Sequence, residues 1–201
     1  NAKVLVEPQR NADGFWFGSG NIIEVNPDCY LLCGRYRNHG DSRTGTGSGA
    51  RGLEFAIFKG ASPLGPFSKI RSFSKEDLSR PEVPVVSIEG GKLFLGPKGL
   101  EMIVSTEKAI EYPKELLNYQ KPGTGVWSID RIMGETIEEL DSSALEEIQS
   151  SSDGATLHIK DPVVFKSPNN ETALVYCNHP FTWSSSNTGL AICSQGSDVF
   201  E

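Results

Sequence analysis

The segment LHIKDPVVF at 157–165, followed by TALVYCNH at 172–179, decides the fold. It reads as two short apolar strands joined by a polar turn, with Gly, Pro, Asn and Asp as punctuation. The same pattern stands twice upstream. VSIEGGKLF at 86–94 precedes LEMIVSTEK at 100–108, and FGSGNII at 17–23 precedes CYLLCGRYR at 29–37. In this register Ser19, Glu89 and Asp161 share one slot, 70 and 72 residues apart. Each unit continues with a third strand, at 53–59, 125–133 and 189–194, and then a turn. A fourth strand is expected from Phe67, from Thr136 and from Asp198. Four antiparallel strands repeated at this period fit the blades of a β-propeller. A β-sandwich also offers many short strands, but it does not predict an acidic residue twice in one slot at one period.

The expected fold class is therefore all-β, a β-propeller of four-stranded antiparallel blades. About two and three-quarter blades are expected, in units at about 15–75, 85–143 and 157–201 of a single domain spanning 1–201. Helix signals are weak, with short candidates only at 112–119 and 144–149.

Composition narrows the partners. The 201 residues are 37% hydrophobic, enough for a core, and the net charge is −7. An acidic chain with scattered Lys and Arg lacks the clustered cations that phosphate backbones need, so no nucleic acid is expected. No apolar run approaches eighteen residues, so no membrane span is expected. Residues 1–10 show no basic stretch leading into an apolar one, and the sequence has no starting Met. None of the four cysteines forms a C-x-x-C pair. Cys33, Cys177 and Cys193 sit in apolar runs and read as small buried hydrophobes. The Cys and His spacing matches no zinc site, and no ligand set calls for a central metal ion or another cofactor. Unpaired cysteines suit a reducing compartment, but secreted and cytoplasmic locations both stay open. The sequence leaves the oligomeric state open.

Link lengths locate the business end. The links between first and second strands are short, whereas those between second and third, at 39–52, 109–124 and 180–188, are long. The links from one unit to the next, at 76–84 and 143–156, are long too. In an up-and-down blade all the long links lie on one rim, where function usually sits. The innermost strands begin at that rim, so Ser19, Glu89 and Asp161 are expected near one mouth.

Two carboxylates on adjacent inner strands, Glu89 and Asp161, form the sharpest feature. Glycoside hydrolysis needs such a pair, and like charges in proximity raise one pKa and supply a proton donor. The plainer reading makes Asp161 a turn cap before Pro162 and Glu89 a solvated strand start. Asn38-His39 and Asn178-His179 close equivalent strands, preceded in the first unit by Arg35 and Arg37, and Glu107-Lys108 fills the slot in the second. Such groups bond sugar hydroxyls, and each His could equally anchor a loop. His158 stands beside the mouth, as a ligand contact or as packing. Trp183, in the polar run FTWSSS, is the better candidate for stacking on a sugar, whereas Trp127 reads as core. The glycine-rich TGTGSGARG at 44–52 lacks the ending of a phosphate loop and reads as a rim loop. No Gly-x-Ser-x-Gly elbow supports a catalytic triad.

Several motifs carry a family likeness. KDPVVF at 160–165 resembles the Asp-Pro blade start of the five-bladed β-propeller glycosidases, the family 43/32-like group of arabinanases, xylosidases and fructosidases. IEGG at 88–91 resembles their Glu-Gly blade start, and ASPLGPF at 61–67 their turn between third and fourth strands. The resemblance implies a carbohydrate-active hydrolase that cleaves oligo- or polysaccharides. Glu89 would be the proton donor, and Asp161 the base, nucleophile or pKa-modulating residue. Arg35, Arg37, His39, Glu107, His158, Asn178, His179 and Trp183 would bind substrate. A five-bladed ring at about seventy residues per blade needs roughly 350, so the sequence reads as part of a longer chain. The other reading is a non-catalytic propeller that holds a glycan or a protein on the same rim.

Overall fold

A computed structural model of the chain describes residues 2–37 and 52–201. His39, with Asn38 and most of the glycine-rich stretch, lies outside the described residues. The described residues are all-β, and every strand pairing among them is antiparallel. In the first sheet β1 (Trp16–Gly18) and β2 (Ile22–Asn26) both pair with β3 (Cys29–Arg37), followed by β4 (Glu54–Gly60) and β5 (Ser68–Ser74). The second sheet runs β6 (Val85–Gly96), β7 (Gly99–Lys108), β8 (Val126–Gly134) and β9 (Glu146–Ser150). The third runs β10 (Lys160–Lys166), β11 (Thr172–Asn178) and β12 (Asn187–Cys193). Beyond β12, Glu201 exchanges both backbone hydrogen bonds with Ile192, at 2.8 and 3.0 Å.

The sheets stack face to face. Leu31, Cys33, Phe55, Ile57 and Phe73 of the first sheet pack against Ile88, Leu93, Met102 and Val104 of the second. The opposite face of the second sheet presents Ile103 and Ile129 to Ile159, Leu174, Tyr176 and Ala191 of the third. Strand β7 is thus covered on both sides, which explains why its apolar run is almost unbroken rather than alternating. Burying each such Leu, Ile or Phe contributes about 1.5–3 kcal/mol.

The first two sheets are also stitched edge to edge at their inner strands. The Asn21 side chain donates to Leu93 O at 2.8 Å and accepts from Leu93 N–H at 2.9 Å. A single amide therefore replaces a rung of strand pairing. Gly91 N–H donates to Ser19 O at 3.1 Å, and Lys92 Nζ to Gly20 O at 2.7 Å. Position 91 itself needs glycine, because a Cβ there would stand 2.7 Å from Ile103 O of the neighbouring β7 and 2.8 Å from the Phe55 ring.

Three local expectations change. The second sheet's fourth strand lies at 146–150, not from Thr136. The intervening segment instead buries Leu140 and is held by Arg71 of β5, which donates to Glu138 O at 2.9 Å and also to Leu140 O. The helix candidate at 144–149 is largely this strand, fixed by Arg131 donating to Glu146 at 2.8 Å. The candidate at 112–119 is a turn followed by one 3-10 turn at Leu117–Tyr119.

Candidate active site

The site begins with a defect shared by three inner strands. The pairing of β1 and β2 with β3 passes from Gly18↔Arg35 to Ile22↔Leu32, which leaves one extra residue on the inner side. On β6 it passes from Ile88↔Thr106 to Gly90↔Ser105, so Glu89 is the extra residue. On β10 it passes from Lys160↔Cys177 to Val163↔Val175, again with one extra residue, at 161–162. Each inner strand therefore bulges at the slot of Ser19, Glu89 and Asp161. A bulge turns a side chain out of the sheet's alternation and is common beside active sites. Ser19 and Asp161 adopt left-handed backbone angles, φ 58° and 55°. Such strain persists only where the surroundings enforce it, and Asp tolerates it better than most residues.

The rim links meet the inner strands around a cavity of about 200 Å³. Arg35 and Arg37 enter from β3, and Glu89 from β6. Lys121, Thr124 and Trp127 come from the link before β8 and from β8 itself. His158, Lys160, His179 and Trp183 come from the third sheet and its links. Arg35 is held from several sides. It donates to Ile88 O at 2.9 Å, lies 3.4 Å from the Glu89 carboxylate and stacks 4.8 Å from the Trp16 ring centre.

The wall behind the cavity is a buried aromatic cluster centred on His158. Its ring centre lies 5.3 Å from Trp127, 5.4 Å from Tyr112 and 5.5 Å from His179, all edge to face. His158 Nε2 is 3.0 Å from Tyr119 O, so Nε2 carries the hydrogen and Nδ1 accepts from the Tyr112 hydroxyl at 3.4 Å. That hydroxyl in turn accepts the His158 backbone N–H at 3.0 Å. Burial pushes the imidazole down to about 4, with His179, Lys160 and Lys121 adding to the effect. His158 is thus a neutral brace between two links. His179 is also pushed down, first by burial and then by Lys160. Its Nε2 lies 3.8 Å from Cys177 Sγ. Burial raises the Cys177 thiol, so the pair is no activated nucleophile.

Asp161 opens elsewhere. With Ser19, Gly90 and Lys92 it lines a second cavity of about 270 Å³, where the inner strands of the three sheets converge. The wall between the two cavities shows Glu89 and Lys160 to one and Gly90 and Asp161 to the other. Desolvation by surrounding protein pushes the Asp161 carboxyl up. Lys160 opposes the rise and Glu89 adds to it. Asp161 is nonetheless exposed, and water screens much of this effect.

Of the residues expected at the site, the first cavity gathers Glu89, Arg35, Arg37, His158, His179 and Trp183. Glu107 and Asn178 stand outside it as braces. Glu107 is fully buried and accepts the Gly125 N–H at 2.9 Å, and Asn178 donates to Ala155 O at 3.0 Å. Polar side chains at strand ends are drawn in this way to the unpaired backbone groups of long links. Sequence reasoning missed Lys121, Thr124 and Lys160, and placed Trp127 in the core. Trp127 is buried, but its ring faces the cavity beneath the Lys160 ammonium, 5.6 Å away. Lys160 could have been found, since it directly precedes the slot residue. Among the described residues no cluster of His, Cys, Asp and Glu is arranged to hold a metal ion. Among the described residues no helix is long and apolar enough to cross a membrane.

No protein-family model matches the sequence, and no curated protein matches it. Solved structures do. An endo-arabinase from Bacteroides thetaiotaomicron superposes with a TM-score of 0.55 at 13% identity, over 90% of this chain and 58% of that one. A thermostable family-43 glycoside hydrolase gives 0.54 at 16% identity, over 92% and 53%. A family-43 β-1,3-galactosidase solved with galactodeoxynojirimycin gives 0.52 at 13% identity, over 98% and 60%. The chain thus spans a little over half the length of these three solved chains. At these identities the likeness is one of fold: antiparallel sheets stacked as in the five-bladed propellers of glycoside hydrolase family 43.

Proposed function

We propose that this chain forms part of a five-bladed propeller that hydrolyses glycosidic bonds of an oligo- or polysaccharide, with Glu89 and Asp161 as its acid–base pair. The observation that carries this reading is the shared bulge. Three inner strands break register at one slot, Glu89 and Asp161 both stand at it, and Glu89 is near enough to add to the rise of the Asp161 carboxyl. The cavity beside Glu89 offers Arg35, Arg37 and His179 to hydroxyls, and Trp183, 44% exposed, as a stacking face. Family resemblance gives the donor role to Glu89.

A second reading is a non-catalytic propeller that binds a glycan. One observation favours it: Glu89 is paired with Arg35, and Asp161 opens onto a different cavity. Glu89→Gln and Asp161→Asn separate the two readings. Both are isosteric, and Asn also tolerates the left-handed backbone at 161. The proteins are assayed on arabinan, galactan, xylan and a panel of 4-nitrophenyl glycosides. An enzyme loses turnover by a factor of about a hundred or more in either variant and keeps its affinity. A binder shows retained affinity with no turnover in any form.

A further inference from the structure

The cavity beside Glu89 has an electrostatic character that hydroxyl recognition does not require. Among the described residues that line it, four are cations, Arg35, Arg37, Lys121 and Lys160, against one carboxylate, Glu89. The chain as a whole carries a net charge of −7, so this local excess runs against the background. Glu89 offsets Arg35 through their 3.4 Å ion pair. Among the described residues neither Lys121 nor Lys160 closes an ion pair with a carboxylate; Lys160 acts on the neighbouring Asp161 carboxyl, which lines the other cavity, and stands over Trp127. Both lysines act on their neighbours. After burial, they are among the causes that push His158 and His179 toward neutrality. A small concave site walled by aromatic rings focuses such a field. Neutral sugars gain little from it.

We infer that the cavity takes a sugar ring carrying a negative charge, a carboxylate or a sulfate ester, held by Lys121 and Lys160 while the ring lies against Trp183. This rests on the carbohydrate reading above and names the class of sugar within it. The cavity's volume, about 200 Å³, lies below the roughly 300–1,000 Å³ of drug-sized pockets. It therefore suits one ring rather than a chain, so the charged ring would be a terminal or branching unit.

The test is titration of the full chain, by ligand-observed NMR, with matched methyl glycosides. Glucuronide is set against glucoside, galacturonide against galactoside and mannuronide against mannoside, with galactose 6-sulfate as the sulfate arm. We expect an acidic member to bind about tenfold or more tightly than its neutral partner, a preference that shrinks as salt rises from about 50 to about 500 mM. Lys121→Met and Lys160→Met should each remove most of the preference at unchanged melting temperature. A stronger response to galactose 6-sulfate than to galacturonide assigns the charge to a sulfate ester. Neutral and acidic partners binding alike would overturn the inference and leave the carbohydrate reading standing. Binding of neither would overturn both.

Discussion

Beneath the site, the second sheet holds a buried ion pair whose removal should be felt at the cavity. The Lys108 ammonium donates to Asp130 Oδ2 at 2.6 Å, to Thr106 Oγ1 at 3.0 Å and to Ser128 Oγ. Side-chain exposure is 3% for Lys108 and 0% for Asp130. The pair clamps β7 to β8 next to the rung Glu107↔Trp127, where Trp127 enters the cavity wall. In Lys108→Met the carboxylate keeps the Thr106 and Ser128 hydroxyls, each at 3.1 Å, and the distant Arg80, 3.8 Å away. Removing one partner of a buried pair costs about 3–5 kcal/mol. The remaining donors place this case near about 3 kcal/mol, which for a chain of this size lowers the melting temperature by about 6–12 °C. Lys108→Met/Asp130→Leu, which removes both charges, should recover most of the loss. Calorimetry at pH 7 measures both variants. A deficit under about 1 kcal/mol in Lys108→Met, or a double variant no more stable than the single one, would refute the reasoning.

Further outcomes follow from other parts of the wall and the inner strands. The His158 ring should titrate near 4, as the neutral Nε2–H tautomer at pH 7. Because its folded value lies below the unfolded one, stability should fall as pH drops from about 6.5 toward 4. A ring resonance titrating above 6 would contradict the cluster described. Gly91→Ala should cost about 1–3 kcal/mol by overpacking, seen as a lower urea midpoint, since the added Cβ meets backbone at Ile103. An unchanged midpoint would mean that β6 does not approach β7 and Phe55 so closely.

Much of the inner-strand pattern was legible because it repeats. Ser19, Glu89 and Asp161 were brought into register by apolar runs alone, and the structure gives that slot a physical meaning, a one-residue bulge at each. Strand β7 was legible because burial on both faces leaves a continuous apolar signature. The fourth strand of the second sheet was not, since Glu-Glu-Ile-Gln-Ser carries a helical rather than a strand composition. Its place is set by Arg131 reaching Glu146 and by Arg71 anchoring the segment before it, contacts between residues distant in sequence. The cavity was legible where residues ended strands, as with Arg35, Arg37 and His179. It was not where a long link folds back, as with Lys121 and Thr124, because no local pattern encodes where such a link returns. Glu107 and Asn178 show the converse. A polar residue at a rim reads as a ligand contact, yet a backbone group left unpaired by the next link claims it first.

The pairing of Glu89 with Asp161 is tested most directly by single-turnover hydrolysis across the glycan panel, comparing the native chain with Glu89→Gln and Asp161→Asn at matched folding. The account predicts cleavage by the native chain, a loss of about a hundredfold or more in each variant, and retained ligand binding in both. Cleavage that survives either substitution, or native protein that binds sugar but never cleaves it, would contradict the catalytic pairing.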